Sequence, residues 1–125
     1  MADKYEKLPI FKEAHQLVLQ VYKLTKTYPT DEKFGIISQI RRSSSSIIAN
    51  IIEGNARGYR KEFINFLLIA NGSLEETKYF LLLSKDLGYI TEIEYLKCHD
   101  QTETVGKQLN GLIKYLKVNQ KVKSL

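Results

Sequence analysis

One cysteine, Cys98, is the only thiol in 125 residues, which excludes an internal disulfide framework and fits a reducing compartment. Histidine is almost as scarce. His15 and His99 stand far apart, and neither lies in the Glu-x-x-His spacing by which a helical bundle sets metal ligands on one face, so neither a metal nor a cofactor is expected. The phosphate-cradling pattern G-x-x-x-x-G-K-[ST] is absent. So is any apolar run near the ~18 residues of a membrane span, and the opening Met-Ala-Asp-Lys-Tyr-Glu-Lys has no apolar signal segment. A cytoplasmic protein without membrane association is the expectation. No Ser-, Gly- or Pro-rich tract reads as a linker. The row Ser43 to Ser46 is the one biased patch, and it sits inside a periodic apolar pattern.

What is present is amphipathic helix. With 43% hydrophobic and 26% charged residues, the chain suits one domain with a sizeable core. Leu8, Ile10, Phe11, Ala14, Leu17, Val18, Val21, Leu24 and Tyr28 recur at helical spacing. Pro9 fits a first turn, where its missing N–H costs nothing, and a helix over 9–27 is predicted. Pro29 turns Tyr28 away from helical angles, and Thr30, Asp31 and Glu32 offer an N-cap and acids for a second helix over 31–54. Asn55 to Gly58 closes it. A third helix is predicted over 59–87. A fourth over 92–118 follows a Gly88 C-cap and a Thr91–Glu94 capping box, and residues 119–125 are expected to fray. Short connections without strand-like alternation make an all-α, up-down-up-down antiparallel four-helix bundle, a single domain over 1–125.

On a helical wheel turned roughly 100° per residue, the stretch 32–54 carries two stripes. Ile36, Ile37, Ile40, Ser44, Ile47, Ile48 and Ile51 form a broad apolar face, and Gln39, Arg42, Ser46, Asn50 and Glu53 form a polar row at its border. Hydrogen-bonding groups at the edge of a core need partners. Glu53 and Glu76, on neighbouring helices, could do acid/base work as a pair, but no nucleophile, metal ligand or third group accompanies them. Gln39, Arg42, Ser46, Asn50, Glu53 and Glu76 therefore read as a structural polar network. Gly72 predicts close approach of another backbone to the third helix. That helix has a second apolar side, Ile64, Leu68, Tyr79 and Leu82, roughly opposite Phe63, Phe66, Leu67, Ala70, Leu74, Thr77 and Leu81. Unless another helix of the chain covers it, the second side predicts an interface with a copy of the same protein.

Net charge is +5, with a sequence pI near 9.2, and the excess is localised. No acid follows Glu103, whereas Lys107, Lys114, Lys117, Lys121 and Lys123 do, and Arg57, Arg60 and Lys61 flank the turn between the second and third helices. Such clustering favours a polyanion. The turn also adjoins a helix N-terminus, whose unpaired N–H groups add positive potential. Arg41 can pack its stem among apolar neighbours and extend its guanidinium. The candidate phosphate contacts are Arg41, Arg57, Arg60, Lys61, Lys107, Lys114, Lys117 and Lys121. Apart from Tyr59, few aromatics interleave with these charges, so sequence-specific readout of single strands is not expected.

The string Glu32-Lys33-Phe34-Gly35-Ile36 with Gln39-Ile40-Arg41-Arg42, Ser46-Ile47 and Asn50-Ile51-Ile52-Glu53-Gly54, followed by Phe63, Phe66-Leu67, Ile69-Ala70, Gly72-Ser73-Leu74 and Glu76, resembles a known family. These blocks are similar to the bacterial four-helix-bundle proteins encoded in intervening sequences of 23S ribosomal RNA genes. The resemblance covers nearly the whole chain. A more distant similarity is to the accessory variability determinant of diversity-generating retroelements, a basic pentameric bundle that binds a reverse transcriptase and nucleic acid. Phe11 stands where the family commonly has tryptophan or tyrosine, and Ile52 where it often has alanine; both are apolar at packing positions. The resemblance implies a four-helix bundle, a homopentamer and nucleic-acid association. Four-helix RNA-cleaving toxins pair an arginine with a histidine a few residues later, and here no histidine closely follows an arginine. The combined expectation is a non-enzymatic oligomer that associates with RNA or DNA through phosphates. The alternative is a protein-interaction scaffold or accessory subunit without direct nucleic-acid contact.

Overall fold

The computed structural model describes the backbone over residues 4–124 and side chains over residues 6–118. Four helices follow one another: α1 (Pro9–Thr25), α2 (Ile36–Ala56), α3 (Arg60–Asp86) and α4 (Glu92–Ser124), with short 3-10 turns at Lys4–Lys7 and Thr30–Glu32. No strand forms among the described residues. Each helix packs on the next in sequence, and α4 closes the ring against α1. Ser43 lies opposite Thr77 and Ser46 opposite Ser73, so numbering rises along α2 as it falls along α3. This is the antiparallel four-helix bundle that the periodicity predicts. Its core includes Leu17, Ile40, Ile47, Leu67, Leu74, Leu81 and Leu109, all fully buried, each worth about 1.5–3 kcal/mol of burial.

The connections differ from expectation where capping decides them. Thr30–Glu32 makes a single 3-10 turn, and Gly35 interrupts helical geometry at φ −107° and ψ −118°, so α2 starts at Ile36. Glu32 still acts as a cap, its Oε1 accepting the Ile36 N–H at 3.4 Å. The other Glu32 oxygen accepts the Tyr89 hydroxyl at 2.7 Å, which ties the α1–α2 connection to the α3–α4 connection. That hydrogen bond is the main reason the Tyr89 phenol is pushed up to about 12. Between α3 and α4, Gly88 adopts φ 78°, and the N–H groups of Gly88 and Tyr89 reach the carbonyls of Lys85 and Ser84, both at 2.9 Å. This paired closure is a Schellman motif. The capping box forms as expected, with Glu94 N–H on Thr91 Oγ1 at 3.1 Å and Thr91 N–H on Glu94 Oε1 at 2.9 Å. α4 runs on to Ser124 instead of ending near 118, and Lys121 and Lys123 lie outside the described side chains.

Among the glycines inside helices, the closest approach of a neighbouring helix falls at Gly54. A Cβ there would lie 2.6 Å from Phe66 Cβ and 2.9 Å from Phe63 Cδ1, so only glycine lets α3 cross this close. Gly72, the glycine expected to admit a neighbour, is exposed and has nothing within 4 Å of its virtual Cβ.

Candidate nucleic-acid interface

The polar row on α2 finds its partners on α3. Arg42 Nη2 donates to Glu76 Oε2 at 2.7 Å and to Gln39 Oε1 at 3.1 Å. Asn50 Nδ2 donates to the Ser46 carbonyl at 2.8 Å and to Ser46 Oγ at 3.1 Å, and Ser46 Oγ meets Ser73 Oγ at 2.9 Å. Glu53 is separate from this chain of bonds; it is exposed and accepts from Arg57 at 2.8 Å. Deeper in the seam the Ser43 and Thr77 hydroxyls meet at 2.9 Å, and each also lies within hydrogen-bond reach of a carbonyl of its own helix, Thr77 Oγ1 on Ser73 O at 2.9 Å and Ser43 Oγ on Ile40 O at 3.3 Å. Ser43, Ser73 and Thr77 are not among the residues expected in the network from the sequence. Their shared signal is small hydroxyl residues at three- and four-residue spacing on two helices that prove to face each other.

The second side of α3 is only partly outward. Leu68, Tyr79 and Leu82 are exposed, joined by Ile69, but Ile64 is 6% exposed and belongs to the core. α4 runs antiparallel past the first turns of α3, where Leu116 shares a cleft with Phe63. Ile64 is thus removed from the candidate oligomer surface.

The candidate phosphate contacts with described side chains separate into one group and one outlier. Arg57 closes α2, and Arg60 and Lys61 open α3. Leu116 of α4 lines a cleft with Gly54, Asn55, Gly58, Tyr59, Arg60 and Phe63, which brings the neighbouring Lys117 and Lys114, both exposed, to the same end of the bundle. Lys107 is also exposed, ten residues before Lys117, roughly 15 Å farther along the helix at 1.5 Å per residue. Arg41 stands apart. Its Nε donates to Thr25 Oγ1 at 2.8 Å, and its guanidinium covers the Tyr22 ring at 4.5 Å, on the half of α2 remote from Arg57. Two further lysines join the basic end. The start of α1 packs on α4 around Gln108, Gly111 and Leu112, so Lys7 and Lys12, both exposed, sit near the same end, beside Glu6. Up-down topology alone places them there.

Glu53 and Glu76, the carboxylates that could have formed an acid/base pair, each face an arginine instead. Among the described residues no three His, Cys, Asp or Glu side chains gather closely enough to hold a metal ion, and no helix is long and apolar enough to cross a membrane. Cys98 is buried, and burial pushes its thiol up to about 12, a poor nucleophile at neutral pH.

A ring of four antiparallel helices with a hydroxyl-lined α2–α3 seam and cations collected at one end defines the class: a basic four-helix-bundle protein. The chain belongs to the family described as 23S rRNA-intervening sequence protein, which matches residues 6–111. Its backbone is similar to the crystal structure of a protein of unknown function from the S23 ribosomal protein family of Bacteroides thetaiotaomicron VPI-5482, with a TM-score of 0.77 and 32% identity. That match covers 84% of this chain and 95% of that one. No curated protein matches the chain.

Proposed function

We propose that this protein is a non-enzymatic, cytoplasmic, oligomeric bundle that associates with RNA or DNA through phosphate contacts at its basic end. One observation carries the reading: Arg57, Arg60, Lys61, Lys114 and Lys117 come from the α2–α3 turn and the distal half of α4 to the same end. Lysine and arginine in such a cluster neutralise phosphates and release counterions whatever the base sequence. Lys107, Lys7 and Lys12 extend the patch, whereas Arg41 is left out because it stands on the half of α2 remote from the basic end, against Thr25 and Tyr22. The naming of 23S rRNA in the family's description is in keeping with a nucleic-acid partner. The pairing of Glu53 and Glu76 with arginines supports a role without catalysis. For assembly, the outward Leu68, Ile69, Tyr79 and Leu82 of α3 supply apolar surface, and the family resemblance points to a homopentamer.

The test is a gel-shift titration of labelled single-stranded RNA and duplex DNA at low salt, with wild type and an Arg57→Ala, Arg60→Ala, Lys61→Ala variant. Binding by wild type that weakens sharply in the variant is the expected outcome, and equal affinity would exclude this patch as the phosphate-binding surface. A protein-interaction scaffold is the second reading. It is favoured by Phe34 and Ile93, 87% and 79% exposed at the end opposite the basic patch, because large apolar side chains left open to water suit a protein partner better than a phosphate.

A further inference from the structure

The four arginines of the chain are not equivalent. Thr25 and Tyr22 engage Arg41, Glu76 and Gln39 engage Arg42, and Glu53 with the Phe66 ring engages Arg57. Arg60 has neither a hydrogen bond nor an ion pair among the described residues, although it is only partly exposed and its Nη1 is sealed from solvent. A guanidinium offers five donors, and an unmatched one away from water is costly. Arg60 also lines the cleft of about 310 Å³ that Gly54, Asn55, Tyr59, Phe63 and Leu116 complete at the basic end.

Building on the nucleic-acid reading above, we propose that this cleft takes the terminal phosphate of a single-stranded polynucleotide, with Arg60 as its anchor. An internal phosphodiester carries one negative charge and lies along the backbone. A terminal phosphomonoester carries about −1.5 to −2 at neutral pH, presents three acceptor oxygens and projects from the chain end, the shape a recess accepts. Nη1 is covered by protein, and engaging a phosphate requires the Arg60 side chain to turn outward into the cleft. That turn exchanges an unpartnered donor for paired charge-assisted bonds. The Asn55 amide supplies further donors. Tyr59, 71% exposed, gives the terminal base a ring to stack on. Tyr59 is also the N-cap of α3 and makes no side-chain cap bond, which leaves first-turn N–H groups facing the same region. The nearby acids are Glu53, neutralised by Arg57, and Glu62, which is exposed in the first turn.

Fluorescence anisotropy with the full chain and single strands of roughly 12 nucleotides tests this. The strands end in a 5′-phosphate, a 3′-phosphate or hydroxyls alone. The expected result at about pH 7.5 is binding about tenfold tighter for at least one phosphorylated strand than for the hydroxyl-ended one. The preference should shrink at about pH 5, where the phosphate's second ionisation, near pH 6, is reversed. Arg60→Gln should abolish the ratio between phosphorylated and plain strands, and Lys33→Gln, at the far end of the bundle, should keep it. Equal affinity for all three strands, or a preference that survives Arg60→Gln, overturns the terminal-phosphate site while leaving general nucleic-acid binding intact. Absence of binding to every strand overturns both.

Discussion

Gly54 and Gly72 both sit inside helices, but only Gly54 needs to be glycine. A methyl at Gly54 would strike Phe66 Cβ, which is fixed close to the backbone, whereas at Gly72 it would meet nothing. Gly54→Ala should therefore cost about 1–3 kcal/mol through overpacking, and Gly72→Ala should stabilise by about 0.5–1 kcal/mol through helix propensity. Urea denaturation of the two variants checks this, and a Gly54→Ala midpoint at or above wild type would contradict the crossing. Helical periodicity shows which residues share a face of one helix but not what lies opposite. From sequence, Gly72 consequently reads as the point of close approach and Gly54 only as a helix stop. Tyr89 offers a second residue-scale test. Its folded-state value is raised to about 12 by the bond to Glu32, so that bond's contribution is fully present below the unfolded phenol's value of about 10. It is lost as pH rises from about 10 toward 12. Tyr89→Phe should be less stable than wild type at neutral pH and converge with it at the alkaline end, as followed by denaturant titration.

At the scale of elements, the α2–α3 seam is where sequence and structure agree most and also where they part. The polar row of α2 is visible because its members recur at helical spacing beside the isoleucines. Of its partners on α3, Glu76 is legible but the hydroxyls are hidden, since Ser73 and Thr77 fall on a face rich in Phe, Leu and Ala, and a hydroxyl can bond its own helix backbone as well as a neighbour. Thr77 does both. Ser43→Ala removes the hydroxyl partner of Thr77 in a fully buried setting and should lower stability by about 1 kcal/mol. Thermal unfolding measures that decrease, and an unchanged melting temperature would make the Ser43–Thr77 bond energetically idle. Helix limits are legible wherever a local signal fixes them, as at Gly88 and at the Thr91–Glu94 box. The start of α2 is not, because two signals compete there. The acids after Pro29 favour an early start, and Gly35 enforces a late one.

For the whole molecule, the bundle and its basic character follow from the sequence, but the grouping of charges follows from topology. Lys7 and Lys12 are far in sequence from Arg57 and near the same end in space; Arg41 is near Arg57 in sequence and belongs to another seam. Assembly is a property of this scale too. If Leu68, Tyr79 and Leu82 form the interface, light scattering should give a mass that is a multiple of 14.5 kDa, and a Tyr79→Glu, Leu82→Glu variant should fall to the single-chain mass with its helical circular dichroism retained. A variant that keeps the wild-type mass would place the interface elsewhere.

The most direct measurement of the central claim is the slope of log binding constant against log salt concentration, for wild type and for the Arg57→Ala, Arg60→Ala, Lys61→Ala variant. Every phosphate that the variant no longer neutralises lowers the slope by about 0.7 with single strands and about 0.9 with duplex DNA, so the variant should be shallower by about 2 to 3. Identical slopes for the two proteins would contradict a phosphate-binding role for this end of the bundle.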